Sequence, residues 1–332
     1  MFREKPMRFR LHTLGLAVCL GFALAPCAAL AGFDEAVAAH DKKDYATALR
    51  EFKKLATAGD PNAQFNVGLM YANGQGTAQN IKEALKWYHL AANQNDISAQ
   101  INLGIMYATG QGVELDYKEA AKWYRMAADQ GVASAQFHMG VMHATGQGVP
   151  QNYEEAIKWY RLSAAQGEAG AQSNLGYMYS KGQGVQQDHK EAIKWYSLAA
   201  NQGHAIVQNN LGNMHKAGQG TPQDFKEAMK WYRLAANQSN AKAQTNLGLM
   251  YENGQSVAAS RVIAYALFNV SAAGDASNEN PAASHRNRVA QAMPPAEIDA
   301  AQDLTRELLK QGYFLTALDN YAKNPAVKEA PK

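Results

Sequence analysis

Apolar residues recur along this chain at helical spacing, in short segments separated by glycine turns. Between Ala99 and Tyr107 they return every three or four residues, which predicts a helix with one buried face. Gly110-Gln111-Gly112 interrupts the pattern, and a second periodic segment follows with Ala120, Trp123 and Ala127. The pattern therefore predicts a helix–turn–helix unit.

The second helix of this unit begins at a predicted capping box, formed by Asp116 and Glu119. We expect the Asp116 side chain to accept from the amide of Glu119, and Glu119 to reach back to the amide of Asp116. Gln130-Gly131 then ends the helix. Other units repeat the box as Asn80 with Glu83, Asn152 with Glu155, Asp188 with Glu191, and Asp224 with Glu227.

The helix–turn–helix unit repeats with a fixed period of 36 residues, marked by five Trp-Tyr pairs that begin at Trp87, Trp123, Trp159, Trp195 and Trp231. A period of this length is typical of stacked repeat proteins. We therefore predict an all-α fold, an α/α superhelical solenoid. Its six units are residues 63–98, 99–134, 135–170, 171–206, 207–242 and 243–278.

A glycine stands in the middle of each predicted first helix, although it costs up to about 1 kcal/mol against alanine there. This choice implies that a neighbouring helix approaches closely, with small alanines opposite and Trp between successive units. The glycines are Gly68, Gly104, Gly140, Gly176, Gly212 and Gly248.

The remaining segments flank the repeats. Residues 1–31 are a predicted signal peptide, and 32–62 are an N-terminal capping helical pair. Residues 279–325 are predicted C-terminal capping helices, read as two helices over Ala282–Met293 and Pro295–Gln311, and 326–332 are a tail.

The predicted signal peptide has basic residues, an apolar run over 14–24, and Ala29-Leu30-Ala31 as a small-x-small cleavage pattern. We expect cleavage after Ala31, no membrane span afterwards, and a periplasmic or secreted protein. The alternatives are an uncleaved anchor, for which the run is short, and lipid attachment at Cys27, for which the preceding Pro26 is unsuited. Both cysteines, Cys19 and Cys27, lie in this segment, so the mature chain would have no disulfide.

The charge of the chain argues against nucleic acid as a partner. The chain holds 32 Lys and Arg against 29 Asp and Glu. Its first 31 residues contain four of the basic residues and one of the acidic ones, so residues 32–332 contain 28 basic and 28 acidic residues. A neutral mature chain lacks the electrostatic attraction that nucleic acid binding needs.

The repeating pattern Ala-Gln-x-Asn-Leu-Gly-x-Met-Tyr-x-x-Gly-x-Gly, with Glu-Ala-x-x-Trp-Tyr-x-x-Ala-Ala after the capping residue, resembles the Sel-one-like repeat family, relatives of tetratricopeptide repeats. The resemblance covers residues 33 to about 311. It implies an adaptor, and many exported bacterial members are linked to host contact, envelope assembly or stress responses. Some cysteine-rich members are described as β-lactam-binding or hydrolysing, but this chain lacks their paired cysteines.

In such superhelices the first helix of each unit lines the concave face, so positions around Leu-Gly are the candidate partner-binding residues. Their character changes from apolar in the first three units to polar in the later ones, where Lys181 and Lys216 lie nearby. A row of Asn side chains, one in most repeats, could hydrogen-bond the backbone of a bound peptide or only groups within the protein itself. The apolar side chains could line a binding groove or belong to the core between helices. The candidates are Phe65, Asn66, Leu69, Ile101, Asn102, Ile105, Phe137, His138, Val141, Asn174, Tyr177, Asn210 and Asn246. The rows also include Ser173, Asn209, Thr245, Asn213 and Leu249.

We predict no catalytic, cofactor-binding or metal-ligating residues. The nine histidines form no ligand motif, and Gly-Gln-Gly follows no strand, so it is not a phosphate loop. Ser239 and Lys242 match Ser-x-x-Lys, but in a turn and without Lys-Thr-Gly. One Met per unit at helical spacing, as at Met70 and Met106, favours core packing over soft-metal binding.

The sequence thus predicts a non-catalytic, monomeric scaffold that binds a protein or peptide and acts in envelope assembly, stress response or host interaction. The alternative is an enzyme of the β-lactam-binding or hydrolysing type.

Overall fold

The computed structural model describes residues 27–275, 277 and 280–323. In these residues the chain forms seventeen α-helices and no strand, which confirms the all-α prediction. The helices are α1 (Cys27–Asp41), α2 (Tyr45–Thr57), α3 (Pro61–Asn73), α4 (Ile81–Ala92), α5 (Ile97–Thr109), α6 (Tyr117–Asp129), α7 (Ala133–Thr145), α8 (Tyr153–Ala165), α9 (Ala169–Lys181), α10 (His189–Asn201), α11 (Ala205–Ala217), α12 (Phe225–Asn237), α13 (Ala241–Asn253), α14 (Arg261–Gly274), α15 (Ala282–Ala290), α16 (Pro295–Leu308) and α17 (Phe314–Lys323).

Helices α3 to α14 are six pairs that repeat every 36 residues, as a solenoid. Within a pair the two helices pack along their length, and from α6 onward each second helix of the pairs also packs on the following first helix, as α6 does on α7 and α8 on α9. The chain divides into two compact units, one ending at Gln94 and the other beginning at Asn95. The first contains α1 to α4, with a core around Phe52 and Met70, and the second contains α5 to α17.

The second helices are capped by the predicted residues, but only half of each predicted capping box forms. The Asp116 side chain accepts from the amides of Lys118 and Glu119, at 2.9 and 3.1 Å. The backbone amide of Asp116 donates to the carbonyl of Tyr107 at 3.0 Å. The predicted hydrogen bond from this amide to the Glu119 side chain is therefore wrong. Glu119 pairs with Lys122 instead, and the other boxes share both features. The equivalent ion pairs are Glu83 with Lys86, Glu155 with Lys158, Glu191 with Lys194, and Glu227 with Lys230.

The mid-helix glycines are explained by the aromatic ring at the Tyr position of the Trp-Tyr pair. In the first five repeats the Tyr ring of the second helix lies over the glycine of its own repeat, and in the last repeat Phe268 lies over Gly248. A Cβ at any of these glycines would come within 3 Å of the ring. These tyrosines are buried throughout, from Tyr88 to Tyr232, whereas Trp87 and Trp195 are only half-buried. Trp159 packs in a cluster with Tyr124 of the preceding repeat, and Trp231 with Tyr196, which confirms Trp as the filler between units.

A row of buried glutamines, which was not predicted, links neighbouring helices. Gln172 donates its Nε2 to the carbonyl of Ala164 at 3.3 Å and accepts on Oε1 from Nε2 of Gln202 at 2.8 Å. It thereby connects α8, α9 and α10. The glutamines at this position are Gln64, Gln100, Gln136, Gln172, Gln208 and Gln244.

Three helices follow the repeats where two were predicted. Helices α15 and α16 match the prediction in place, but α17 was missed because Gly312 breaks the pattern and the apolar segment after it is short. Phe314 and Leu318 of α17 belong to the same buried cluster as Leu267 and Phe268 of α14.

Most of the predicted signal peptide and the whole predicted tail, 326–332, lie outside the described residues. The predicted cleavage position after Ala31 falls within α1. Among the helices that the structure describes, none combines the length and apolar character needed to cross a bilayer.

Candidate peptide-binding surface

The predicted rows lie on the first helices of the six pairs. Phe65, Asn66 and Leu69 belong to the first unit, and the other candidates to the second. Most of these side chains are half-buried, with Tyr177 and Asn213 exposed. The candidates are therefore neither sealed in the core nor fully open, with the exceptions of Asn209 and Thr245, which are buried.

The apolar candidates rest against the invariant core of their repeats. The Phe65 ring lies 5.8 Å from that of Tyr88, and the Phe137 ring 6.1 Å from that of Tyr160. Ile101 and Ile105 pack against the cluster that contains Tyr124. Each of these side chains thus has one face on the core, and its remaining exposed surface is what a ligand could contact.

Asparagines of the third row make hydrogen bonds within the fold. Asn66 donates to the carbonyl of Asn62 at 2.8 Å, and Asn174 is hydrogen-bonded to the Tyr160 hydroxyl. Asn246 donates to Oδ1 of Asn209 at 2.9 Å and of Asn213 at 3.2 Å. These contacts favour the structural interpretation at these positions, and partner binding by the row stays a prediction.

His138 stands where the other repeats have Asn, and it is held by aromatic stacking. Its ring lies 4.5 Å from the Tyr124 ring with an interplanar angle of 16°. Burial lowers the pKa of His138 to about 4, so the imidazole is neutral at pH 7. A neutral, stacked ring is a packing residue rather than a fixed positive charge.

A pocket of about 290 Å³, lined mainly by residues that carry polar groups, opens between α9, α10 and α11 of the second unit. It includes three predicted row residues, namely Tyr177, Asn210 and Asn213. Lys181 was predicted only to lie near the polar rows, and the remaining lining residues were not predicted. The lining is completed by Ser180, Lys181, Gln187, His189, Tyr196, Met214 and Gln219.

The residues weighed for other chemistry take structural positions. Ser239 lies in the turn between α12 and α13 with a φ of 61°, and both it and Lys242 are exposed. The Met column is buried, as at Met70 and Met250. Within the described part of the chain no three His, Cys, Asp or Glu side chains are grouped to hold a metal ion.

Comparison with known proteins places this arrangement among described repeats. The Sel1 repeat model matches residues 61–96, 97–132, 133–168, 169–204, 205–240 and 241–275, two residues earlier in phase than the predicted units. We found no match among curated proteins.

Several solved structures are similar to this chain. A Sel1 repeat protein from Oxalobacter formigenes is 36% identical over 73% of this chain and 100% of its own length, with a TM-score of 0.62. The protective antigen c5321 of uropathogenic Escherichia coli, which displays an SLR fold, is 27% identical over 92% of this chain and 81% of its own, with a TM-score of 0.39. Immunity protein Pa5087 from Pseudomonas aeruginosa is 19% identical over 64% of this chain and 83% of its own, with a TM-score of 0.37.

Proposed function

Because the chain belongs to the Sel1 repeat family, whose repeats mediate protein interactions, we propose that it is a non-catalytic scaffold that binds a protein or peptide through its first helices. The observation that carries the proposal is the contrast between two sets of positions. The Tyr and Gly positions are nearly constant and buried, whereas the half-buried or exposed positions around them, such as Phe137 and Tyr177, differ from repeat to repeat. A repeat protein can bind one ligand selectively when its surface residues differ between repeats while the buried residues keep the same backbone structure.

The proposed ligand is an extended or helical segment that carries both apolar and polar groups. Ile101 and Phe137 supply apolar contacts on the second unit, Phe65 supplies one on the first unit, and the later repeats supply polar contacts. At the same position the fourth repeat has half-buried Ser173, whereas Asn209 and Thr245 of the last two repeats are buried and do not face a ligand. Peptide recognition by a helical groove depends on such spaced anchors.

We also propose that the protein is exported and acts as an adaptor in the periplasm or outside the cell, in envelope assembly, stress response or host interaction. The support is the N-terminal pattern of basic residues, apolar run and small-x-small site. Western blots of periplasm, culture medium and membranes would test this, and a full-length product in the membrane fraction would contradict it.

The binding proposal is tested by replacing Phe65, Ile101 and Phe137 with Ser and measuring partner capture by crosslinking in the native cell and mass spectrometry. We expect capture to fall at least tenfold because three apolar anchors are lost. The matched control replaces Leu162, Leu198 and Leu234, which are exposed on second helices, with Ser. Capture that survives in a folded triple variant, or is lost only in the control, would contradict the proposed surface.

The non-catalytic assignment is tested with a chromogenic β-lactam. We expect the purified chain to leave it intact. Turnover by the wild type that disappears in Ser239→Ala would overturn the assignment and favour the enzyme alternative.

A further inference from the structure

The pocket between α9, α10 and α11 is built from residues that depart from the repeat pattern. At the position of Tyr177 the other repeats have Leu, Ile, Val or Asn, and at the position of Lys181 they have Asn, Thr or Ala. Ser180 replaces the Ala of the first three repeats. The fold does not need these side chains, since five other repeats pack without them, and yet all three line one cavity.

The pocket presents hydrogen-bond donors and a positive charge. Lys181 is exposed at its rim, beside the amides of Gln187, Asn210 and Asn213. The lining includes hydroxyl groups as well, and none of the ten residues that the structure places around the pocket is an acid. Such a set suits an anion better than a cation or an apolar group.

Asn213 is oriented as a donor by its neighbours. Its Oδ1 accepts from the Tyr232 hydroxyl at 2.7 Å and from Nδ2 of Asn246 at 3.2 Å. Because both bonds fix the carbonyl end of the amide, the Nδ2 group is left as the donor of this side chain toward a ligand. Tyr196, whose hydroxyl is bonded to Ser180, stays protonated because burial raises its pKa to about 12.

We propose that this pocket binds a carboxylate of the peptide ligand, with Lys181 and the Asn213 amide as its main contacts. The inference rests on the proposed function and names the chemistry of one anchor. Buried Met214 and Tyr196 form an apolar wall for the carbon atoms next to the carboxylate. At about 290 Å³ the pocket is at the small end of the range for ligand sites, which suits one residue of a peptide. The carboxylate can come from the chain terminus or from an Asp or Glu side chain.

Fluorescence polarisation of the purified full chain distinguishes the two sources. The probes are fluorescein-Gly-Ser-Gly-Tyr with a free carboxyl terminus, the same peptide amidated, and amidated fluorescein-Gly-Ser-Glu-Tyr. We expect the amidated Gly peptide to bind about tenfold more weakly than at least one of the two carboxylate peptides. Preference for the free acid assigns the terminus, and preference for the Glu peptide assigns a side chain. Equal binding of all three, or no binding of either carboxylate peptide at millimolar protein, would overturn the proposal.

Two variants test the residues. Lys181→Met should weaken carboxylate binding about tenfold and flatten its salt dependence, because the pocket loses its lysine charge. Asn213→Asp keeps an oxygen for Tyr232 and Asn246 but replaces the donor with an acceptor, and it should weaken binding at least as much. Lys226→Met, at an exposed lysine outside the pocket, is the matched control and should bind like the wild type. Thermal melts establish that each variant is folded.

Two results separate this proposal from the proposed function. If the triple Ser variant loses partner capture while Lys181→Met and Asn213→Asp bind the carboxylate peptides normally, the scaffold function stands and the pocket assignment fails. If inorganic phosphate displaces the bound peptide and acetate at the same concentration does not, the pocket takes phosphate and the carboxylate assignment is wrong.

Discussion

Gln172 shows at the scale of one residue how the repeats are tied together. Its buried amide bonds to Ala164 and to Gln202, so a single side chain holds three helices. Gln172→Met keeps the length of the side chain but leaves the Ala164 carbonyl and the Gln202 amide without this partner. We expect the free energy of unfolding to fall by about 2 kcal/mol, measured by urea denaturation. Gln186→Met, at an exposed position, is the control, and an equal effect of both variants would contradict the role of the buried amide.

His138 makes a prediction about pH. Its pKa is lowered from 6.5 to about 4 by burial, and its ring neighbours Tyr124 and Phe137 do not titrate in that range. Between these two values the unfolded chain binds a proton that the folded chain does not. Stability from this group is therefore complete above about pH 6.5 and is lost as the pH falls toward 4, by at most about 3 kcal/mol.

The test is His138→Asn, which installs the residue of the other repeats. We expect its unfolding free energy to decrease less than that of the wild type between pH 7 and pH 4.5. Parallel decreases in urea denaturation curves would show that His138 does not titrate as inferred.

At the scale of the helices, α11 begins without a side-chain cap. His204 occupies the N-cap position, where Asp60, Asp96 and Asn240 accept from the amide three residues on in the equivalent helices. His204→Asp should supply this hydrogen bond and a negative charge at the helix N-terminus, and so raise the unfolding free energy by about 1 kcal/mol. The melting temperature measures the gain, His204→Ala should not show it, and equal melting temperatures for the two variants would sink the capping argument.

In the turn of the last repeat, Ser256 adopts a left-handed backbone conformation that favours glycine. The residue has a φ of 64°, where the five preceding repeats have glycine, for example Gly184 with a φ of 67° and Gly220 with a φ of 75°. Ser256→Gly removes the side chain from this left-handed conformation and should raise stability by about 1 kcal/mol.

The reverse change supplies the control. A Cβ at Gly220 would lie 2.5 Å from the carbonyl carbon of His189, so Gly220→Ser should destabilise by more than Ser256→Gly stabilises. Urea denaturation measures both, and a neutral Gly220→Ser would show that the turn adjusts easily.

The helix pairs and their register could be predicted from the sequence because apolar spacing, glycine turns and capping residues agree in the first five repeats and fix the phase of the sixth. What could not be predicted depends on distant partners. The amide of Asp116 is used by the carbonyl of Tyr107, and this contact between helices decides that Glu119 pairs with Lys122. Helix α17 is short, and its packing on α12 and α14 rather than its own periodicity explains its position.

For the candidate site, the sequence indicated which helices carry it but not where a cavity forms. Tyr177, Asn210 and Asn213 were among the row residues, yet Gln187 and Gln219 reach the same pocket from turns after α9 and α11. The available indication was Lys181, the single base at its position in six repeats. A cavity depends on the distance between helices, which a pattern of residue types does not contain.

In the whole molecule, the three helices after the repeats cover a core that the last repeat cannot bury by itself. Leu318 of α17 is fully buried, in one cluster with Leu267 and Phe268 of α14 and Tyr232 of α12. The Arg233–Asp319 ion pair, at 2.7 Å, also joins α12 to α17. In a repeat protein each repeat is stabilised by its neighbours, so a terminal cap should act mainly on the nearest repeats.

Leu318→Ala tests this distribution of stability. The cavity should cost about 2 to 5 kcal/mol locally, because a buried leucine loses its packing. Hydrogen exchange should accelerate in α17 and in α12 and α14, which α17 contacts, and change little in α6 and α7 several repeats away. Leu309→Ala, at an exposed leucine of the same C-terminal region, is the control and should leave exchange unchanged. Uniform acceleration across α5 to α17 would mean that the second unit unfolds as one cooperative body, in which case the C-terminal helices stabilise every repeat of that unit rather than the last two.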